Sequence, residues 1–247
     1  MIKRVVCWFS CGVTSAIATN LTIQKYKNKY PIEIAYCDTG SEHSDNKRFL
    51  SDCEGWFGQK INILKNLNYK DTWDVYKKDN YLAGVQGQAR CSYMLKKKVR
   101  QEFENINTDL QIFGYDFNEQ KRIDRFRKSN PEVNVEFPLF NNKITKVDCL
   151  NILNEIGIEI PTMYKLGYKN NNCIGCVKGA KGYWNKIRID FPDVFEKMAK
   201  EERRLGIKLN VMGVRGKVVR VYLDELPPNK GNYKSELPIS CGLLCGE

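Results

Sequence analysis

An apolar run at residues 5–9 stops abruptly at Ser10-Cys11-Gly12-Val13-Thr14-Ser15, and residues 14–26 read as a helix. A strand that ends in a Ser/Gly turn and feeds straight into a helix requires a crossover, which is the unit of a parallel sheet. The alternation continues along the chain. Residues 32–37 read as a second strand ending in Asp38-Thr39-Gly40, followed by a helix at 45–56 and a strand at 61–64. A basic helix is expected at 92–103, strands at 110–114 and 133–137, and a helix capped by Thr145 and ended by Gly157. Beyond Gly157 the regularity fades into Gly, Asn, Tyr and Lys, with a helix expected at 193–205 and a strand at 218–223. The fold class expected is therefore α/β: a doubly wound, mostly parallel, Rossmann-like sheet with an irregular, cysteine-containing C-terminal region. Residues 1–157 are expected to form the α/β domain and residues 158–247 a region packed on it as one unit.

Composition narrows the function classes. Hydrophobic residues make up 42% of the 247, enough for a full core, yet no apolar run approaches the roughly 20 residues that span a bilayer. Met1-Ile2-Lys3-Arg4 leads into Val5-Val6 with no cleavage-site pattern, so no membrane partner and a cytoplasmic protein are expected. The formal net charge of +11 favours an anionic partner, either nucleotide phosphates or RNA or DNA. His43 is the only histidine, which argues against His-centred catalysis and multi-His metal sites. Ten cysteines in a cytoplasmic chain do not read as a disulfide framework. Cys7, Cys37, Cys53 and Cys149 lie in apolar patterns and read as core residues, whereas Cys11, Cys91, Cys173, Cys176, Cys241 and Cys245 lie in loops.

The turn at residues 10–15 places backbone N–H groups and a helix N-terminus at one spot, which suits a phosphate. Gly12 would allow close approach, and Ser10, Thr14 and Ser15 would add hydroxyl donors. The bland alternative is a helix N-cap in a plain turn. Asp38-Thr39-Gly40 would line the same crevice, because ligands of open α/β sheets bind beyond the carboxyl ends of the strands. Cys11 reads either as a small residue tolerated in the turn or as a reactive thiol at a helix N-terminus. Cys173-x-x-Cys176 offers two thiolates at a metal-chelating spacing, with Cys91 as a third candidate ahead of Lys96, Lys97 and Lys98. Arg90, Lys96, Lys97, Lys121, Arg122, Arg125, Arg127 and Lys128 are candidates for an anion pocket, most of them equally a solvated face. Tyr183 and Trp184 either stack on an exposed base or pack under the cysteine loop. Asp116 and Asp124 are candidate Mg²⁺ ligands, although nothing in their spacing demands it.

These residues together resemble the PP-loop of the adenine-nucleotide α-hydrolase superfamily, and most closely its phosphoadenosine-phosphosulfate (PAPS) reductase branch. Ser10 to Ser15 resembles the loop usually written Ser-Gly-Gly-x-Asp-Ser, with Cys11 in place of a glycine and Thr14 at the aspartate. Asp38-Thr39-Gly40 matches the branch's Asp-Thr-Gly, and Gly114 to Arg122 resembles its glycine, acid and arginine segment. Pro138-Leu139, Thr145, Val147-Asp148, Pro161, Tyr164 and Gly167-Tyr168 match the run before the CxxC. The resemblance implies ATP or a sulfonucleotide held by residues 10–15, Asp38, Thr39, Gly40, Gly114, Glu119 and Arg122, with Asp38 in the catalytic machinery. It also implies a 4Fe–4S cluster on Cys91, Cys173 and Cys176, with Cys241 or Cys245 as the fourth ligand. The tail resembles the Glu-Cys-Gly-Ile/Leu-His motif in which the cysteine attacks sulfur, here Cys241, although Ser240 and Leu244 replace the Glu and the His. Two chemistries follow from the resemblance: adenylation and thiolation of a nucleic-acid base or similar acceptor, or reduction of a sulfonucleotide to sulfite. A nucleotide- or nucleic-acid-binding protein without chemistry is the third reading, and a homodimer is one arrangement left open.

Overall fold

A computed structural model describes residues 1–82, 89–214 and 217–240. Five parallel strands, β1 (Arg4–Trp8), β2 (Ile32–Cys37), β3 (Asn62–Leu64), β4 (Asp109–Phe113) and β5 (Val135–Glu136), form one sheet in the order β3-β2-β1-β4-β5. Helices α1 (Val13–Tyr26), α2 (Asn46–Phe57) and α3 (Thr72–Asp79) belong to the first half of the winding. Two short helices, α4 (Arg90–Ser92) and α5 (Lys98–Phe103), flank a π-helical turn at Tyr93–Lys97, where the expectation was one regular helix. They are followed by α6 (Gln120–Ser129), α7 (Pro138–Asn141), α8 (Lys146–Glu155) and α9 (Thr162–Lys165). The C-terminal region adds α10 (Lys181–Asp190), α11 (Pro192–Leu205) and an antiparallel ribbon of β6 (Asn210–Val214) and β7 (Lys217–Val221).

This strand order places the reversal of winding between β1 and β4, whose last residues, Trp8 and Phe113, lie side by side in register. A crevice must open there, because the connections leaving the two strands run to opposite sides of the sheet. Local chemistry fixes the flanking elements. The Thr145 hydroxyl accepts from the Asp148 N–H while the Asp148 carboxylate accepts from the Thr145 N–H at 2.8 Å, a reciprocal cap that starts α8. Pro192 opens α11 and Gly206, at φ 67°, closes it.

The sheet is buried on both faces. One apolar cluster joins Val5, Cys7, Phe9, Ile34 and Ile112 to α1, α2 and α8; the other joins Val6, Trp8, Phe113, Ile123, Phe126 and Phe137. Cys7, Cys37, Cys53 and Cys149 are buried in these clusters, as small hydrophobes. A third cluster draws on both sides of residue 157. Val75, Tyr76, Cys91 and Leu95 pack there with Met163, Cys176, Trp184, Ile187, Met198 and Leu223. No helix among the described residues is long and apolar enough to cross a membrane.

Candidate functional site

A cavity of about 650 Å³ occupies the crevice between β1 and β4. Its walls are Ser10, Gly12, Thr14 and Ser15 on one side and Gly114, Tyr115, Asp116, Asn118, Glu119, Arg122 and Arg125 on the other. The first wall curls around one hydroxyl. Ser15 Oγ accepts from the N–H of Ser10 at 3.0 Å and of Gly12 at 3.3 Å and donates to the Gly12 carbonyl at 2.9 Å. The N-terminus of α1 thereby points into the cavity, and its first-turn N–H groups favour an anion. The two walls touch at one point. A Cβ on Gly114 would lie 2.8 Å from the backbone of Ser15, so only glycine lets the β4 exit approach α1 this closely.

Cations surround the opening. The Arg122 guanidinium lies 4.0 Å over the Tyr115 ring and pairs with Glu119 at 2.6 Å, a planar, charged shelf beside the first wall. Lys146, at the start of α8, also lines the cavity. Its ammonium donates to the Lys169 carbonyl and, at 2.5 Å, to Asn170 Oδ1; burial pulls its pKa down while Glu119 and Asp116 push it up. At the floor, Lys96 meets Glu42 at 3.3 Å. Glu42 also accepts from Tyr36 at 2.5 Å and Asn46 at 2.9 Å, and burial pushes its carboxyl up. The Tyr164 hydroxyl accepts from the backbone of Val13 and Asn171 and sits against Gly12. Tyr36, Lys146, Tyr164 and Asn170-Asn171-Asn172 were not assigned to the site from sequence. Only the adjacency of Lys146 to the Thr145 cap and of the asparagines to the CxxC could have signalled them.

Several expected residues lie elsewhere than expected. Cys11 has φ 57° and is fully buried, its thiol donating to the Asn46 carbonyl at 3.4 Å. Burial pushes that thiol well above its usual range, so the reading as a small interior residue holds and the reactive-thiol reading does not. Val13 is likewise turned inward, leaving only backbone from these two positions to meet a ligand. Asp38, Thr39 and Gly40 do not line the cavity, although Tyr36 and Cys37 at the end of β2 do; the chain beyond Cys37 turns to Lys65 and the cysteine loop. Asp38 pairs with Lys65 at 2.8 Å and accepts from the Gly40 N–H, while Thr39 is buried with its hydroxyl 3.0 Å from Cys173 Sγ. Asp116 faces the cavity and Asp124, on α6, does not, so they form no carboxylate pair there. Arg90 pairs with Asp79 at 2.6 Å in a separate hollow with Tyr81 and Tyr93. Tyr183 and Trp184 are buried under the cysteine loop, so of their two readings packing is the one realised.

The cysteine loop adjoins the cavity. Asn171 and Asn172 line the cavity, and Cys173 follows directly. The Ile174 N–H donates to the Ser41 carbonyl at 2.9 Å, which docks the loop on the exit from β2. Gly175, at φ 75°, makes the turn. The Tyr183 hydroxyl accepts from the Cys176 N–H at 2.9 Å and donates to the Cys173 carbonyl at 3.4 Å. The buried Tyr76 hydroxyl lies 3.6 Å from Cys91 Sγ and is pushed up by its burial and by the nearby Cys91, Cys176 and Cys173 thiols. Cys91, Cys173 and Cys176 are soft thiol donors in the neighbourhood of this tyrosine, the right donor type for iron or zinc. Among the described residues, however, no three Cys, His, Asp or Glu gather tightly enough to hold a metal ion. Cys241 and Cys245 lie outside the described residues.

Comparison with known proteins places this geometry. Residues 4–182 match the model of the phosphoadenosine phosphosulfate reductase domain. An uncharacterised protein of Methanocaldococcus jannaschii is 26% identical over 218 residues; the match takes in 85% of this chain and 43% of that relative, so the chain spans under half of the relative's length. The crystal structure of a phosphoadenylyl-sulfate (PAPS) reductase from Candida auris, a phosphate complex, superposes with a TM-score of 0.50 at 12% identity, covering 70% of this chain and 82% of that one. That likeness concerns the fold.

Proposed function

The chain belongs to the phosphoadenosine phosphosulfate reductase domain family, and on that premise we propose that it is a nucleotide-dependent enzyme of sulfur chemistry that adenylates an acceptor, a nucleic-acid base or similar carbonyl compound, and passes sulfur to it. The observation that carries the reading is the cavity at the β1/β4 reversal, walled by the α1 N-terminus and the Arg122 shelf and bordered by the cysteine loop. ATP is the nucleotide proposed, its phosphates received by residues 10–15 and the first turn of α1. Arg122, Arg125 and Lys146 supply positive charge where negative charge accumulates. The acceptor's carbonyl oxygen bonds to the α-phosphorus as the bond to pyrophosphate breaks. Sulfide (HS⁻) then bonds to the carbonyl carbon as AMP leaves with the oxygen, and loss of the sulfur's proton gives the thiocarbonyl product.

Cys91, Cys173 and Cys176, with Cys241 or Cys245, would hold a 4Fe–4S cluster; when bound, it would supply iron-linked sulfur chemistry at the rim of the cavity. Anaerobically reconstituted protein is expected to contain iron that Cys173→Ser and Cys176→Ser variants lose, and to release pyrophosphate from ATP when acceptor and sulfide are supplied. Sulfite formed from PAPS without pyrophosphate release would overturn the thiolation reading in favour of sulfonucleotide reduction. Nucleotide binding without either product would leave a binding protein.

A further inference from the structure

The β6–β7 ribbon lies outside the matched domain and has a charge pattern of its own. Between Arg203 and Leu223 the sequence holds six Lys or Arg residues and no Asp or Glu. Among the described residues, the ion pairs of this stretch lie at its start, where Arg203 meets Asp224 and Glu225 and Arg204 meets Glu201. Lys208 packs on the Tyr222 ring at 4.7 Å, near Glu225. Lys217 and Arg220 are exposed on β7 with no carboxylate beside them among the described residues.

The ribbon is fixed at its base and exposed along β7. Glu202 is fully buried, and its two oxygens accept from the Leu209 N–H at 2.7 Å and the Leu223 N–H at 2.5 Å, the residues just before β6 and just beyond β7. Arg188 holds the carbonyls of Leu223 and Leu226 at 3.2 and 2.6 Å. Leu209, Met212 and Leu223 tie this base to the cluster that contains Tyr76, Cys91 and Cys176. Above it, four consecutive residues of β7, Lys217 to Arg220, are exposed, while Met212 on β6, opposite Val219, packs on that cluster, so the open face of the ribbon is the one carrying Val218 and Arg220. Val218 is 78% exposed and Val219 37%. A ribbon that only avoided edge-to-edge aggregation would carry charge, not valine, on its bare faces.

We infer that this ribbon docks in the major groove of double-stranded DNA, an inference that rests on the reading of a nucleic-acid acceptor and names its form. Two strands about 4.8 Å apart with their side chains fit a groove about 12 Å wide, whereas the major groove of an RNA duplex is too deep and narrow. Val218 and Arg220 share one face of β7, where the valine would meet apolar base edges such as thymine methyl groups and the arginine a phosphate, and Lys217, on the opposite face, would meet a flanking phosphate.

Fluorescence anisotropy with a labelled DNA duplex over a salt series tests this, using full-length protein and the double variant Lys217→Glu/Arg220→Glu. Wild-type protein is expected to bind the duplex with salt-dependent affinity. The variant should bind at least about tenfold more weakly, with a salt slope shallower by about 2, while Lys217→Arg/Arg220→Lys keeps the wild-type affinity. The variant's ATP titration should match wild type, which shows that it is folded. Equal DNA affinity for wild type and charge-reversed variant overturns the inference, as does preference for single strands or an RNA duplex. Ribbon-dependent DNA binding without pyrophosphate release would sink only the catalytic reading; pyrophosphate release with unchanged DNA affinity would sink only the ribbon.

Discussion

Cys11 shows how a single residue carries the loop's constraint. At φ 57° a side chain with a Cβ costs about 1–2 kcal/mol relative to glycine, which explains why a loop of this shape favours glycine there. The thiol offsets this cost by burial and by its contact with the Asn46 carbonyl. Asn171 Nδ2 then reads the strained position directly, donating to the Cys11 carbonyl at 2.6 Å and to Asn46 Oδ1 at 2.8 Å. Cys11→Gly should therefore change stability by less than about 1 kcal/mol, as lost burial and relieved strain oppose each other. Cys11→Val, β-branched at positive φ, should cost more than about 2 kcal/mol. Urea denaturation of both variants checks this; a valine variant as stable as the glycine one would mean that the loop does not hold this conformation in solution. None of this was legible in the sequence, where a cysteine in a glycine's place carries no sign of its φ.

At the scale of elements, local signals were readable and long-range ones were not. The alternation of strands and helices, the Thr145 cap and the Gly157 stop stand in the structure where the sequence put them, because each depends on neighbours within a few residues. For helix α6 the charged residues read as a solvated helix face, as the structure has it, but the stripe of Ile123 and Phe126 that buries its other side went unread. Strand β6 was missed because Asn210, Met212 and Gly213 are weak strand formers, and only pairing with β7 makes a strand of them. The strap at residues 231–240 carries no pattern at all, since side chains from elsewhere hold its backbone. Asn170 and Asn172 both donate to the Ile239 carbonyl, Lys178 to that of Ser240 at 3.2 Å, and Glu236 accepts from the N–H groups of Gly182 and Tyr183. Leu237, Pro238, Ile239 and Ser240 line the cavity. ATP is therefore expected to slow amide hydrogen exchange in residues 231–240 as well as in the first turn of α1. Protection of α1 with no change in the strap would show that these residues do not face the bound nucleotide.

For the whole molecule, the sheet order opens the crevice between β1 and β4 in which the proposed nucleotide would bind, and the Asp38-Thr39-Gly40 motif shows the limit of motif reading. It stands at the end of β2, as expected, but the cavity takes Tyr36 and Cys37 from that strand and the motif itself turns to support the cysteine loop. The net charge of +11 and the run of cations at 203–223 were legible in the sequence; that Arg122 lies over Tyr115 at the cavity and that Lys217 and Arg220 are exposed on β7 required the fold. The account rests on adenine-nucleotide binding at the contact between Gly114 and α1. Calorimetric titration of ATP into wild type and Gly114→Ala tests it most directly, because the added methyl meets the Ser15 backbone and must shift the anion-binding turn. The account predicts one nucleotide per chain for wild type and at least about tenfold weaker binding for the variant, with a cooperative melt retained. Binding unaffected by Gly114→Ala, or no binding by wild type, would contradict it.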